Sequence, residues 1–115
     1  MILLNQLSTE DSIIVTLNEK RTLPAPYYLF LFDNVTTREV VLLVIYSASD
    51  VSGYAERYNE FIIDTSTIFE GATPGQWNYF IYEQTSDSNT DETGLTLVEM
   101  GKMELKNITN TFSWN

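Results

Sequence analysis

At 115 residues the chain has the size of one domain, with 6 Lys+Arg against 16 Asp+Glu, a net charge of −10, and neither Cys nor His. Absence of Cys rules out a disulfide framework and a thiolate nucleophile; absence of His as well removes the usual zinc and haem ligands and the common acid–base side chain. The carboxylate excess repels phosphate and so argues against nucleic acid across a broad face, and no apolar run approaches the length of a membrane helix.

Residues 1–7 are short and apolar and lack the basic stretch and cleavage site of a secretion signal. Residues 1–11 are expected to form an N-terminal arm. Residues 12–17 are rich in β-branched side chains and predict a strand. Residues 26–32 are aromatic, apolar on both faces, and preceded by Pro24 and Pro26. The cluster Asp33-Asn-Val-Thr-Thr37 is a turn signal, and residues 38–46 follow as a strand, so the two runs predict a hairpin. The segment 52–59 is the best helical candidate, weakened by Gly53. Residues 58–64 predict another strand.

Residues 71–75 contain two glycines and Pro74 and predict a turn. In residues 76–83, Trp77, Tyr79 and Ile81 alternate with Asn78, Phe80 and Tyr82, which predicts a strand with the first three as a core stripe. Residues 85–94 have no large apolar side chain and predict a loop. Residues 95–105 predict the last strand, kinked at Gly101. Short runs of period two with turns every dozen or so residues indicate an all-β antiparallel sandwich or small barrel of about six to eight strands. The domain is expected over 12–106, with 107–115 as a C-terminal tail ending in Phe112 and Trp114.

The charge is uneven. No Lys or Arg lies between Arg57 and Lys102, while Glu60, Asp64, Glu70, Glu83, Asp87, Asp91, Glu92 and Glu99 do. A solvated face is the plain explanation, and complementarity to a basic partner the sharper one. Asp87-Ser-Asn89-Thr-Asp91 resembles the start of a calcium loop, but Glu92 stands where glycine is needed and Val98 where a bidentate acid belongs. Carboxylate pairs of the glycosidase kind occur by chance in any acidic chain. Serines have only Lys20, Lys102 and Lys106 as potential bases, and no glycine-rich phosphate loop exists. Catalysis, cofactors and metals are therefore not expected. Tyr27, Tyr28 and the aromatics of 77–82 could stack sugars, although core packing explains them better. The sequons at Asn34 and Asn107 are taken as chance.

Four strings carry a resemblance: Pro26-Tyr-Tyr-Leu-Phe-Leu-Phe-Asp-Asn-Val-Thr-Thr-Arg-Glu-Val40, Glu56-Arg-Tyr-Asn-Glu-Phe61, Pro74-Gly-Gln-Trp-Asn-Tyr-Phe-Ile-Tyr-Glu83 and Leu97-Val-Glu-Met-Gly-Lys-Met103. In this order they resemble small β-sandwich virion structural proteins of crAss-like and other tailed phages of Bacteroidetes, over about residues 13–105. The resemblance implies an immunoglobulin-like or related sandwich and a non-enzymatic place in the virion. The expected role is capsid decoration in many copies, with a neck or tail ring adaptor or a glycan-binding adhesion module as alternatives. The expected partners are the major capsid protein, neighbouring virion subunits or copies of itself, without nucleic acid or membrane. Ile2, Leu3, Leu4, Phe112 and Trp114 are the expected interface residues, acting by strand addition or aromatic insertion.

Overall fold

A computed structural model describes residues 2–17, 22–23, 26–52 and 58–107. Among the described residues seven strands run in chain order: β1 (Ile2–Asn5), β2 (Asp11–Val15), β3 (Tyr27–Asn34), β4 (Val40–Tyr46), β5 (Asn59–Ile63), β6 (Gly75–Gln84) and β7 (Thr96–Lys106). A short helix α1 (Thr65–Ile68) follows β5, capped by the Asp64 side chain, which accepts from the Thr67 N–H. The β-branched and aromatic content of these runs favours pleated backbone, and their alternation gives each strand one face to bury.

The strands form two sheets. The larger has the order β1-β7-β6-β3-β4, and the smaller pairs β2 with β5. The expected all-β class holds, but purely antiparallel pairing is corrected at one place: β1 runs parallel to β7, Ile2 opposite Met103 and Leu4 opposite Leu105. The chain leaves β1 for the other sheet instead of turning back on it, so β1 meets β7 only through a long connection.

One face of the larger sheet carries Tyr28, Phe30, Phe32, Trp77, Tyr79, Ile81, Met103, Leu4 and Ile2 into the core. The small sheet contributes Ile13, Val15, Phe61 and Ile63 to the same cluster. Phe61 meets Tyr28 and Phe30 edge-on, and Phe69 after α1 meets both Phe32 and Trp77 edge-on. The expected stripe of Trp77, Tyr79 and Ile81 is thus in the core. The β3–β4 hairpin forms as expected. Its turn is organised by buried Asn34, whose Oδ1 accepts from the N–H groups of Thr36 and Thr37, both at 2.8 Å.

Two details differ from expectation. The irregularity of β7 is not at Gly101; the register shifts where Ile81 pairs with Glu99 and Tyr82 with Leu97, which leaves Val98 as the extra residue. Gly101 instead accommodates the Tyr79 ring. The helix considered over 52–59 lies largely outside the described residues, and Asn59 opens β5.

Candidate functional site

The second face of the larger sheet is the unusual part of the molecule. Antiparallel sheets with one solvated face normally present polar side chains there. Here strand register builds two uninterrupted apolar rows. One runs Leu42, Leu31, Phe80, Met100 across β4, β3, β6 and β7, and the next runs Val44, Leu29, Tyr82, Leu97. Tyr46 and Tyr27 continue the surface as a stacked pair with ring centroids 4.6 Å apart. Met100 is 61% exposed, Val40 56%, Leu97 43% and Leu42 39%. With strands about 4.8 Å apart, the rows span on the order of 400 Å² of sheet, within which Leu29 is fully buried and Leu31, Val44, Phe80 and Tyr82 are half-buried.

Charge lies at the margins of this face. Asp33 and Lys102 stand in the row that begins at Val40, with Asn78 between them. At the other end burial lifts the Tyr82 phenol above its ordinary range, and the nearby charge of Glu92 adds to the shift.

The rows end at β4, an edge of the sheet. The Asn34 N–H donates to the Glu39 carbonyl at 2.8 Å, and the Ser47 N–H to the Pro26 carbonyl at 3.0 Å. Hydrogen-bonded pairs alternate along an antiparallel ladder, so Val41, Leu43 and Ile45 bond to β3. The N–H and C=O groups of Val40, Leu42, Val44 and Tyr46 then point away from the sheet. Elsewhere, groups at strand margins have partners: the Asn5 N–H donates to Asp11 at 2.7 Å, and the Glu60 N–H to Asp50 at 2.9 Å. The Glu60 carbonyl accepts from the Val51 N–H. Among the described residues, no hydrogen bond of that kind is seen on the outer side of β4. The strand also holds no Lys, Pro, Gly or bulge, the usual guards of an edge.

The acidic span does not form one surface. Asp64 and Glu70 flank α1 near the start of β6, whereas Asp87, Asp91 and Glu92 lie in the loop beyond its end. The ten residues of β6 separate the two groups by roughly 30 Å. Glu83 is buried and accepts from the N–H groups of Thr22 and Leu23. Glu99 accepts from Tyr79 and Thr16. The supposed calcium loop is held by its own side chains: Asn89 donates to Gln84 Oε1 and to the Asp91 carbonyl, and Asp91 accepts from the Thr93 N–H, which keeps its carboxyl below the usual range.

Of the expected interface residues, Ile2 and Leu4 lie in the core as part of β1, while Leu3 is exposed on the opposite face. Phe112 and Trp114 lie outside the described residues. Asn34, in the first sequon, is 2% exposed, and its Nδ2 donates to the Thr73 carbonyl, so it offers no site for a glycan in the folded chain. The aromatic segments divide between the two faces: Tyr28, Trp77 and Tyr79 point inward, while Tyr27, Phe80 and Tyr82 point outward. A sugar platform would therefore lack Trp77 and Tyr79. A separate cleft of about 430 Å³ lies between Gln6, Leu7, Glu70 and Asn107. Gln6 spans its floor, donating to the Phe69 and Ala72 carbonyls and accepting from Asn107.

The outer apolar rows were hidden in the sequence because residues 40–46 form one continuous apolar run. Such a run is itself a signal that both faces of a strand meet apolar surroundings. No protein-family model, curated protein or solved structure matches the chain.

Proposed function

We propose that the chain is a non-enzymatic structural protein of a tailed-phage virion, attached to the capsid in many copies through the outer face of its larger sheet. The two apolar rows ending in Met100 and Leu97 carry this reading. They offer a broad, partly exposed apolar surface, and such patches mark contacts with other proteins. The four sequence strings point to the same class of protein. Three of them supply strands β3, β6 and β7, three of the four strands that the rows cross.

An immunoglobulin-like sandwich is part of the proposal. The order β7-β6-β3-β4 opposite β2-β5 corresponds to strands G, F, C and C′ facing B and E of a variable-type domain. The major capsid protein is the proposed partner. The two acidic ends of the sheet would frame the apolar contact and favour a capsid surface with basic residues around an apolar centre.

Mass-spectrometric quantification of purified particles tests the reading. Hundreds of copies per particle are expected. About a dozen would replace capsid decoration by the neck-adaptor alternative, and absence from washed particles would overturn a virion role. Substituting Leu97 and Met100 with serine should lower incorporation while the protein remains folded.

A further inference from the structure

We propose that two copies of the chain pair through β4, antiparallel about a two-fold axis, to join their larger sheets into one continuous sheet. This does not depend on the virion reading and concerns the chain by itself.

The first ground is hydrogen-bond phase. In a pairing over the full strand, Val40 faces Tyr46 of the second copy, Leu42 faces Val44, and Leu43 faces its own counterpart. Val40, Leu42, Val44 and Tyr46 are the residues whose N–H and C=O groups point outward, so each meets another whose outward groups bond to none of the described residues. A strand whose outward groups fell out of phase with its own reversal could pair only with an offset. The faces match as well. Outward rows continue into outward rows, and the half-buried Val41 and Ile45 cover each other on the core side.

The second ground is charge. Each copy carries −10, so contact through most of its surface brings carboxylates together. The seven residues of β4 carry no charge at neutral pH. The flanks add little to this: Arg38 before the strand lies 4.0 Å from Asp33 of its own chain, and the Asp50 carboxylate after it accepts from Ser52, Asn59 and Glu60. The carboxylate of Glu39 is engaged within its own chain, accepting from Thr37 and Thr73.

A seven-residue strand pair is about 24 Å long and small beside a standard interface, so a dissociation constant on the order of 10–100 µM is expected. Added salt should tighten it by screening the net charge.

Sedimentation equilibrium of the full chain over a concentration series tests the pairing. A monomer–dimer equilibrium in that range is expected, weakened at least tenfold by Leu42→Lys. Val44→Pro should have the same effect, because it removes an N–H that the chain's own ladder does not use. Thermal melting and near-ultraviolet circular dichroism report whether each variant folds.

Disulfide trapping tests the register in a chain that has no cysteine of its own. Directly opposed residues of a non-hydrogen-bonded pair lie at about 4.5 Å between Cα atoms, within disulfide reach. Leu43→Cys alone should therefore cross-link rapidly to itself. Val41→Cys alone should not, but should cross-link when mixed with Ile45→Cys. A chain that stays monomeric at millimolar concentration overturns the proposal. So does a dimer in which Leu43→Cys cross-links no faster than Val41→Cys.

Discussion

The Tyr79 ring lies against Gly101 on the paired strand, so close that a Cβ at Gly101 would stand 2.8 Å from the ring. The glycine allows Tyr79 to lie flat over β7 and donate its hydroxyl to Glu99 Oε2 at 2.8 Å. Glu99 Oε1 in turn accepts from the Thr16 N–H just beyond β2. One ring thus ties the larger sheet to the chain leaving the smaller one. Gly101→Ala should cost about 1–3 kcal/mol in chemical denaturation, the range for overpacking a filled core. A melting curve unchanged by that substitution would show that the ring moves aside freely.

The same contact sets an alkaline limit. Burial, then the hydrogen bond and charge of Glu99, push the Tyr79 phenol well above the ordinary tyrosine range. A pKa raised by folding contributes stability that is full below the unfolded value of about 10 and is lost as pH rises beyond it. Spectrophotometric titration should show a late step that coincides with unfolding, and Tyr79→Phe should lower its amplitude by one tyrosine.

Acid stability should depend on Asp50. Burial opposes its charge, but hydrogen bonds from the Glu60 and Ser52 N–H groups and from Asn59 outweigh it and hold the carboxyl below the usual range. A depressed pKa contributes stability present above the unfolded value of about 4 and lost as pH falls through the lower folded value. Denaturation midpoints should drop below about pH 4. Asp50→Asn, which turns a donor toward the Asn59 amide, should cost about 1 kcal/mol at pH 7 and flatten the acid limb.

The β3–β4 turn contains one strained residue. Arg38 has a φ of 65°, in the left-handed region that a side chain disfavours. Its contact with Asp33, at 4.0 Å between exposed groups, contributes little. Arg38→Gly should stabilise the chain by up to about 1 kcal/mol in thermal melting. Asn34→Ala, which deprives the Thr36 and Thr37 N–H groups of their acceptor, should cost about 1–3 kcal/mol.

The two faces of the larger sheet should respond differently to truncation. Ile81→Ala removes a fully buried side chain and should cost about 2–5 kcal/mol. Met100→Ser on the outer face should change stability by no more than about 0.5 kcal/mol. Equal losses at the two positions would mean that the outer rows belong to a closed core and are no contact surface.

Most strands were legible in the sequence because alternation is local. Trp77, Tyr79 and Ile81 alternate with less apolar neighbours, and burial follows that period. The turn at 33–37 was marked by side chains that bond to their own backbone, as Asn34 does. The all-β class follows from such signals, and −10 without Cys or His limits the chemistry open to the chain.

Only the tertiary structure decided which face of β3 and β4 turns inward, since Tyr27, Tyr28 and the run of 40–46 are apolar on both sides. It also decided that β1 lies parallel to β7, and that an acidic span continuous in sequence divides between the two ends of a sheet. These outcomes depend on pairings between residues far apart in the chain. Local periodicity fixes how often a side chain faces the core, but long-range register chooses which neighbour it finds there.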